Sequence, residues 1–414
     1  MANYKEKPKK RDTSSRNIAL DKLDFYNEPA PKKKKQDKIK GRPKSVFQRF
    51  VQAAFPQKTD EKGEKIRKIV LLVLIVVFAV SIGYLLFQLV SMNNTEANDK
   101  AQNIAGVSKD EVIDMDEFVP PEIIITAPTS PTEGSSTSEP TESQPPEEPE
   151  EPINVTPVVN TPINADLNKL IAETGNTDIK GWIKITGTYL NNAVVKAEDN
   201  SYYLTKDIFK NESINGSIYS HYKNKWDGTD ENLILFGHNM ISGNMFATVR
   251  YYLPNDASRE PIAFYKVHPT VMIQTVDGKT HVYKIFGAML ANTQEQYGEV
   301  FKYSNKTSFR DEADFNNYCA QILDRSWFHT NVDLQYGDKL LTLSTCYWPL
   351  GEEIDTRWVV FAREVRPGES EYVDTSLATR NYTAKLFDYY YNLIGGQWYG
   401  RNWDESLIKG YTGG

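Results

Sequence analysis

Two cysteines occur in the 414-residue chain, and one of them, Cys346, follows a run of strand-forming residues. Arg357 lies eleven positions later in a second such run, and His238 ends a third run further upstream. A thiol with a pKa of about 8.5 is mostly protonated at neutral pH, so a cysteine nucleophile needs a cationic neighbour or a general base. His238 and Arg357 are the available candidates, and the three residues together indicate acyl transfer. The alternative role for Arg357 is an ion pair at the rim of the fold.

The other residues of these types are interpreted as structural. Cys319 lies on the apolar face of a helix predicted over 309–328, where a free cysteine acts as a small hydrophobic side chain. No two histidines have the close spacing of a zinc site, so the sequence predicts no metal and no cofactor. The remaining histidines lie in polar or turn-like settings and are predicted to be surface residues: His221, His268, His281 and His329.

The elements that must position these residues are short strands. Apolar runs separated by Gly, Asn and Asp predict strands at 181–185, 193–195, 233–236, 271–274, 282–288, 340–343 and 358–362. The Asp277-Gly278 pair predicts a hairpin turn, since both residues tolerate the positive φ values of tight turns. Helices are predicted at 165–173 and 309–328. The pattern favours a mainly β protein, a barrel with peripheral helices.

Charge divides the chain into zones. Residues 1–68 hold 21 Lys and Arg against 9 Asp and Glu and form a predicted cytoplasmic basic tail, either solvated or lying on anionic lipid. Residues 69–90 are uncharged and apolar, and 22 residues of helix span roughly 30 Å of hydrocarbon. A cleaved signal peptide would have a shorter leader and a shorter apolar region, so we predict a transmembrane helix. The basic flank places the N-terminus in the cytoplasm and the bulk of the chain outside the cell.

Residues 91–162 hold 15 acidic and 2 basic residues, with eleven prolines after position 118. Such a composition cannot bury a core and predicts a disordered extracellular stalk. Residues 163–368 are long enough for one substantial core and form the predicted catalytic domain. Residues 369–414 are an aromatic-rich C-terminal extension, predicted either to pack against the barrel or to contact wall polymer or a partner.

Several motifs together resemble the sortases. The pairing of TLSTC at 342–346 with RWVVFA at 357–362 is similar to the sortase signature, and FGHNM at 236–240 resembles class B specifically. The resemblance implies a closed eight-stranded sortase barrel and a membrane-anchored cysteine transpeptidase of Gram-positive bacteria. Cys346 would attack a sorting signal after its threonine, His238 would transfer protons and Arg357 would hold the carbonyl oxygen. The implied partners are surface proteins or pilins that carry the signal, and an amine of a cell-wall precursor or a pilin lysine.

The resemblance also implies a peptide groove. Ser344 and Thr345 carry over as contacts beside the nucleophile, Thr293 and Tyr297 match a Thr and a Tyr four positions apart, and Leu190 matches an apolar wall position. The residue after the cysteine is Tyr347, where a well-known relative has an acidic residue that contacts substrate, so the signal itself stays open.

Two other functions fit parts of the sequence. A wall-directed cysteine peptidase also uses Cys and His, but the papain-like pattern places the cysteine first, at a helix N-terminus. A non-catalytic stalked adhesin explains the topology but not the three reactive residues.

Overall fold

The structure is a computed structural model that describes residues 55–56, 60–113, 155–240 and 242–413. Within these residues the α-helices are α1 (Lys62–Ala105), α2 (Leu167–Thr174), α3 (Ala263–Val267), α4 (Glu312–Arg325) and α5 (Asp388–Ile394). The strands are β1 (Ile179–Lys184), β2 (Asn191–Val195), β3 (Ile218–Ser220), β4 (Asn232–Phe236), β5 (Thr270–Thr275), β6 (Thr280–Asn292), β7 (Phe328–His329), β8 (Leu340–Cys346), β9 (Thr356–Glu364) and β10 (Thr379–Arg380).

Eight of the strands close into a barrel. Their order is β1-β2-β3-β4-β8-β9-β6-β5, and β5 pairs again with β1. Two pairs are parallel, β2 with β3 and β4 with β8, and the others are antiparallel. The predicted closed eight-stranded barrel with peripheral helices is confirmed. The sequence missed β3, whose three residues are too few to show alternation.

Alternate residues of β9 face two different apolar clusters, because successive strand side chains point to opposite faces. Trp358 and Val360 belong to the barrel interior, whereas Val359 packs outside it with Phe315 and Cys319 of α4. Cys319 is buried and free, as predicted. Asp311 is the N-cap residue of helix α4, and its side chain accepts a hydrogen bond from Asp314 N at 2.8 Å.

The boundary of the predicted stalk differs from the structure. Ala101 and Ala105, at the end of α1, are buried in an apolar cluster with Trp182 of β1. Further along, Ile113 N donates to Gly187 O at 3.0 Å, and Val158 N donates to Val267 O at 2.9 Å. Parts of the predicted stalk on both sides of residues 114–154 therefore contact one domain, because their scattered apolar residues find partners that the local composition does not reveal.

The rest of the N-terminal predictions are only partly covered. One helical stretch, Lys62–Gly83, is long and apolar enough to cross a membrane, and none of its residues is buried by protein. This stretch begins before the predicted span of 69–90 and ends within it. Most of the predicted basic tail, and the proline-rich stretch 114–154, lie outside the described residues.

The C-terminal extension packs against the barrel, which is the first of its two predicted roles. Strand β10 pairs with β7, and Phe387 and Tyr390 join the interior cluster. Trp403 and Ile408 join the cluster outside the barrel. The Trp403 indole donates to Asp324 of α4 at 2.7 Å.

Candidate active site

Strand register brings His238, Cys346 and Arg357 to one end of the barrel. In the parallel pair of β4 and β8, Phe236 lies opposite Ser344, so His238 and Cys346 each follow two residues later. In the antiparallel pair of β8 and β9, Cys346 lies directly opposite Arg357. Side chains at opposed positions of such a pair have Cβ atoms about 4.5–5.5 Å apart. The three residues that the sequence singled out therefore converge, and their catalytic roles remain predictions.

The imidazole of His238 is held by a main-chain carbonyl. Its Nε2 lies 2.9 Å from Leu204 O. A carbonyl oxygen can only accept, so Nε2 carries a hydrogen and donates it. This leaves Nδ1 as the ring nitrogen that can exchange a proton with a reacting group.

Cys346 is partly buried at the end of β8. Burial raises the pKa of its thiol above the usual range, the positive charge of Arg357 opposes that shift, and the carboxylate of Asp355 adds to it. The resting residue at neutral pH is therefore mainly the thiol. The main chain around it is joined to the segment after β4, since Asn239 Nδ2 donates to Cys346 O at 3.1 Å and Thr345 Oγ1 to Gly237 O at 2.8 Å.

Arg357 forms an ion pair with Asp355 through Nη1, which also donates to Thr356 O at 2.9 Å. Burial lowers the pKa of Arg357, but the hydrogen bond to Asp355 and the negative charge of that carboxylate outweigh burial and raise it. The guanidinium therefore stays charged. The rim ion pair considered for Arg357 is present, and it occupies one nitrogen of a side chain that still faces Cys346 across the strand pair.

Asp355 and Tyr303 are site residues that the sequence did not reveal. Asp355 precedes β9 and accepts hydrogen bonds from Arg357, Thr293 and Trp348. Its spacing of two from Arg357 on an extended segment places both side chains on one face, a signal that could have found it. Tyr303 is buried, and its hydroxyl lies 2.8 Å from Ser344 Oγ. Burial raises the pKa of Tyr303 to about 12, so the phenol is neutral.

The predicted peptide contacts fall into two groups. Ser344, Thr345 and Leu190 are buried. The two hydroxyls form hydrogen bonds inside the protein, and Leu190 belongs to the interior cluster, so these side chains support the site from within. Their direct contact with a peptide stays a prediction.

Thr293, Tyr297 and Tyr347 lie at the rim beside the site. Thr293 follows β6, and its Oγ1 donates to both Asp355 O at 2.7 Å and Asp355 Oδ2 at 2.8 Å. Tyr297 lies in a 3-10 turn, where its ring packs edge-on against Tyr389 of the C-terminal extension. Tyr347 follows Cys346 and is partly buried against the interior cluster. These positions suit the predicted groove wall, and their contact with a peptide stays a prediction.

Two of the histidines outside the site are not the surface residues that the sequence predicted. His221 and His268 are fully buried, although their local sequence is polar. His221 is buried because its ring stacks on Tyr222 and its Nε2 lies 3.1 Å from Asn305 Oδ1. His268 packs against the ring of Phe264, and burial lowers the pKa of its imidazole to about 4. Both residues are therefore core residues.

Comparison with known proteins agrees with this geometry. Residues 183–365 match the sortase domain family, a region that contains His238, Cys346 and Arg357. A mainly β barrel with a cysteine, a histidine and an arginine at one end is thus a sortase-type domain. Residues 183–365 therefore resemble a sortase domain, and the curated relatives that the chain matches are class B sortases.

Two of those relatives are sortase B of Listeria monocytogenes and sortase B of Staphylococcus aureus. The first is 34% identical over 183 residues and the second 29% identical over 171 residues, or 44% and 41% of this chain. The aligned regions span 65% and 64% of the relatives' own lengths.

Solved structures similar to this chain are also class B sortases. A Staphylococcus aureus sortase B–substrate complex is 26% identical, with 48% of this chain and 85% of that chain covered and a TM-score of 0.40. Clostridium perfringens sortase B is 28% identical, with 48% and 100% covered and a TM-score of 0.41.

Proposed function

We propose that this chain is a membrane-anchored cysteine transpeptidase that joins a surface protein to an amine. The observation that carries the proposal is the meeting of His238, Cys346 and Arg357 at one end of the barrel, within the region that matches the sortase domain. A thiol, a base and a cation at one site suit acyl transfer through a thioester. The substrate class follows from the family: a C-terminal sorting signal cut after threonine.

The first half-reaction transfers the acyl group to the enzyme. The proton of the Cys346 thiol passes to His238, and Sγ attacks the threonine carbonyl carbon. The C–S bond forms, the C–N bond breaks, and His238 returns the proton to the leaving amine. Arg357 donates hydrogen bonds to the carbonyl oxygen while that oxygen is negative.

The second half-reaction releases the product. The incoming amine attacks the thioester carbon, the new C–N bond forms, and the C–S bond breaks. His238 accepts the proton that the amine loses and returns it to the departing sulfur, so the enzyme regains its starting state. The amine belongs to a cell-wall precursor or to a pilin lysine.

The apolar helical stretch Lys62–Gly83 supports a membrane anchor. The basic residues before it favour a cytoplasmic N-terminus and an extracellular catalytic domain. This orientation would place the enzyme where surface proteins emerge from the cell.

Transpeptidation is tested with fluorogenic peptides that carry candidate sorting signals, added to the full chain in detergent with and without an amine acceptor. We expect a ligated product that depends on the amine and disappears in Cys346→Ala. Hydrolysis that ignores the amine would favour a cysteine peptidase instead. Absence of turnover with every peptide in a library would favour a non-catalytic adhesin.

Arg357→Lys is expected to lose most of the activity while the protein stays folded. A lysine keeps the charge but lacks the planar set of donors, and loss of one donor to a developing oxyanion typically costs about 10²–10³ in rate. Initial rates of transfer and the circular dichroism spectrum measure the two effects. Turnover close to the wild-type rate would remove Arg357 from the mechanism.

A further inference from the structure

Asp355 connects the arginine of the site to two other segments of the chain, one after β6 and one after β8. Its carboxylate pairs with Nη1 of Arg357 on the same extended segment. Oδ2 accepts from Thr293 Oγ1 at 2.8 Å, and Oδ1 accepts from Trp348 Nε1 at 3.1 Å. The main chain of Asp355 is held as well, since its N–H donates to Gln294 Oε1 at 3.0 Å. A carboxylate with so many partners has a fixed position.

The fixed carboxylate limits where the guanidinium can lie. An arginine side chain has several rotatable bonds. Without a partner it would adopt many conformations, and few of them would direct its N–H groups at the substrate. Among the hydrogen bonds of Arg357 to described residues, all use Nη1. Nε and Nη2 therefore keep their hydrogens for an oxygen of the substrate.

We propose that Asp355 is the positioning residue for Arg357, which it holds opposite Cys346 with two nitrogens left for the carbonyl oxygen. The proposal rests on the proposed function, because it assigns a role within that reaction. Asp355 acts through Arg357 and does not touch the reacting atoms.

The competing role for Asp355 is a purely structural ion pair. Both side chains are partly exposed, and ion pairs of this kind typically contribute about 0–1 kcal/mol to stability. A structural ion pair would therefore change stability slightly and leave the catalytic rate unchanged. A positioning residue would change the rate much more than the stability.

The reactivity of Cys346 gives a second, independent readout. The titratable groups around the thiol are Asp355, Arg357, His238, Tyr219 and Tyr303. Asp355 raises the pKa of the thiol and Arg357 lowers it. Removal of the carboxylate charge leaves the charge of Arg357 less compensated, so the thiolate becomes easier to form.

The test is Asp355→Asn in the full chain, measured by transfer to an amine and by alkylation of Cys346 with iodoacetamide across a pH series. We expect kcat to fall roughly 10- to 100-fold with a small change in KM, since a misplacement of about 1 Å can cost up to 10²-fold. We expect the alkylation midpoint to move to lower pH. The variant should thus combine a thiol that is alkylated at lower pH with a lower kcat. A merely structural role of Asp355 does not produce this combination.

The matched control is Asp374→Asn, which removes the same charge from an exposed position that does not affect the pKa of Cys346. It should leave kcat and the alkylation midpoint unchanged. A kcat for Asp355→Asn within about twofold of wild type would overturn the proposal.

A second variant covers the case in which Asp355→Asn does not fold. Trp348→Phe keeps an aromatic ring at a half-exposed position but removes the indole donor to Asp355. We expect a smaller fall in kcat than for Asp355→Asn, and an unchanged kcat would contradict the proposal. If the wild-type chain transfers no peptide, the proposed function fails. In that case the alkylation series alone tests the electrostatic coupling between Asp355, Arg357 and Cys346. An alkylation midpoint that is the same in Asp355→Asn as in the wild type would reject this coupling.

Discussion

At the scale of single residues, the site depends on the balance of charge around one thiol. Burial of Cys346 disfavours the thiolate, whereas Arg357 on the opposite strand favours it. Cys346 is therefore held mainly as a thiol at neutral pH. A high thiol pKa slows oxidation of Cys346, because the thiolate is the form that oxidants attack.

This balance predicts the effect of losing the cation. Arg357→Gln removes the charge that lowers the pKa of Cys346, so the thiol pKa rises further and the midpoint of iodoacetamide alkylation moves to higher pH. The direction is opposite to that expected for Asp355→Asn. Arg310→Gln removes a cation whose side chain is 83% exposed and serves as the control. A midpoint for Arg357→Gln equal to that of the control would contradict the electrostatic coupling.

At the scale of elements, the loop that precedes β3 supports His238. Leu204 O accepts from the imidazole, and the segment around Gly216 runs beside it, since Ser217 N donates to Tyr203 O at 3.0 Å. Gly216 has a φ of +56°, and a Cβ there would lie 2.5 Å from both Leu204 O and Tyr203 O. The loop can therefore hold the histidine only with glycine at this position.

Gly216→Ala should lower both stability and activity. The new methyl group must displace Leu204 O, the carbonyl oxygen that accepts from His238. A positive φ also strains the backbone of an alanine at this position. Gly228→Ala is the matched control, because Gly228 has a φ of +82° but nothing within 4 Å of a built Cβ. Gly228→Ala should lower the free energy of unfolding by about 1–2 kcal/mol, the cost of a left-handed backbone conformation for alanine, and should leave the transfer rate unchanged. Denaturant unfolding and transfer assays measure both, and equal effects in the two variants would show that the loop does not position His238.

At the scale of the whole molecule, the C-terminal extension completes the folded domain. It covers α4 and β7, and it packs Tyr389 against Tyr297 at the rim of the site. Lys385 also pairs with Glu299 at 2.7 Å, close to the same turn. The extension is therefore part of the domain that carries the site, although it lies beyond the region that matches the sortase domain.

Trp403→Ala tests this part of the structure. Trp403 is 7% exposed and its indole donates to Asp324 Oδ1, so truncation leaves a cavity and removes one of the two hydrogen bonds to that oxygen, the other coming from Arg401 Nε. Large aromatic truncations in a core cost about 3–5 kcal/mol, which the midpoint of urea unfolding would report. Tyr399→Ala, at a side chain that is 72% exposed, should change the midpoint little. A loss below about 1 kcal/mol for Trp403→Ala would mean that the extension is bound weakly.

Local patterns predicted much of this protein. The apolar runs mark seven of the eight barrel strands, and the Asp277-Gly278 turn joins β5 to β6 as expected. The reactive residue types at strand ends were visible for the same reason, because a strand end is a local feature. The roles of His221 and His268 were not visible, since burial of a polar residue depends on partners far along the chain.

The sequence by itself predicted the fold class, the resemblance to sortases and the three candidate reactive residues, because alternation, turn chemistry and motif spacing are local properties. Only the tertiary structure decided that His238, Cys346 and Arg357 meet, since this depends on which strands pair and in which register. It also decided that Asp355 fixes Arg357, that Leu204 O holds His238, and that residues on both sides of the proline-rich stretch pack on one domain. Each of these contacts joins residues whose proximity depends on barrel closure or loop packing, and local sequence patterns do not report such packing.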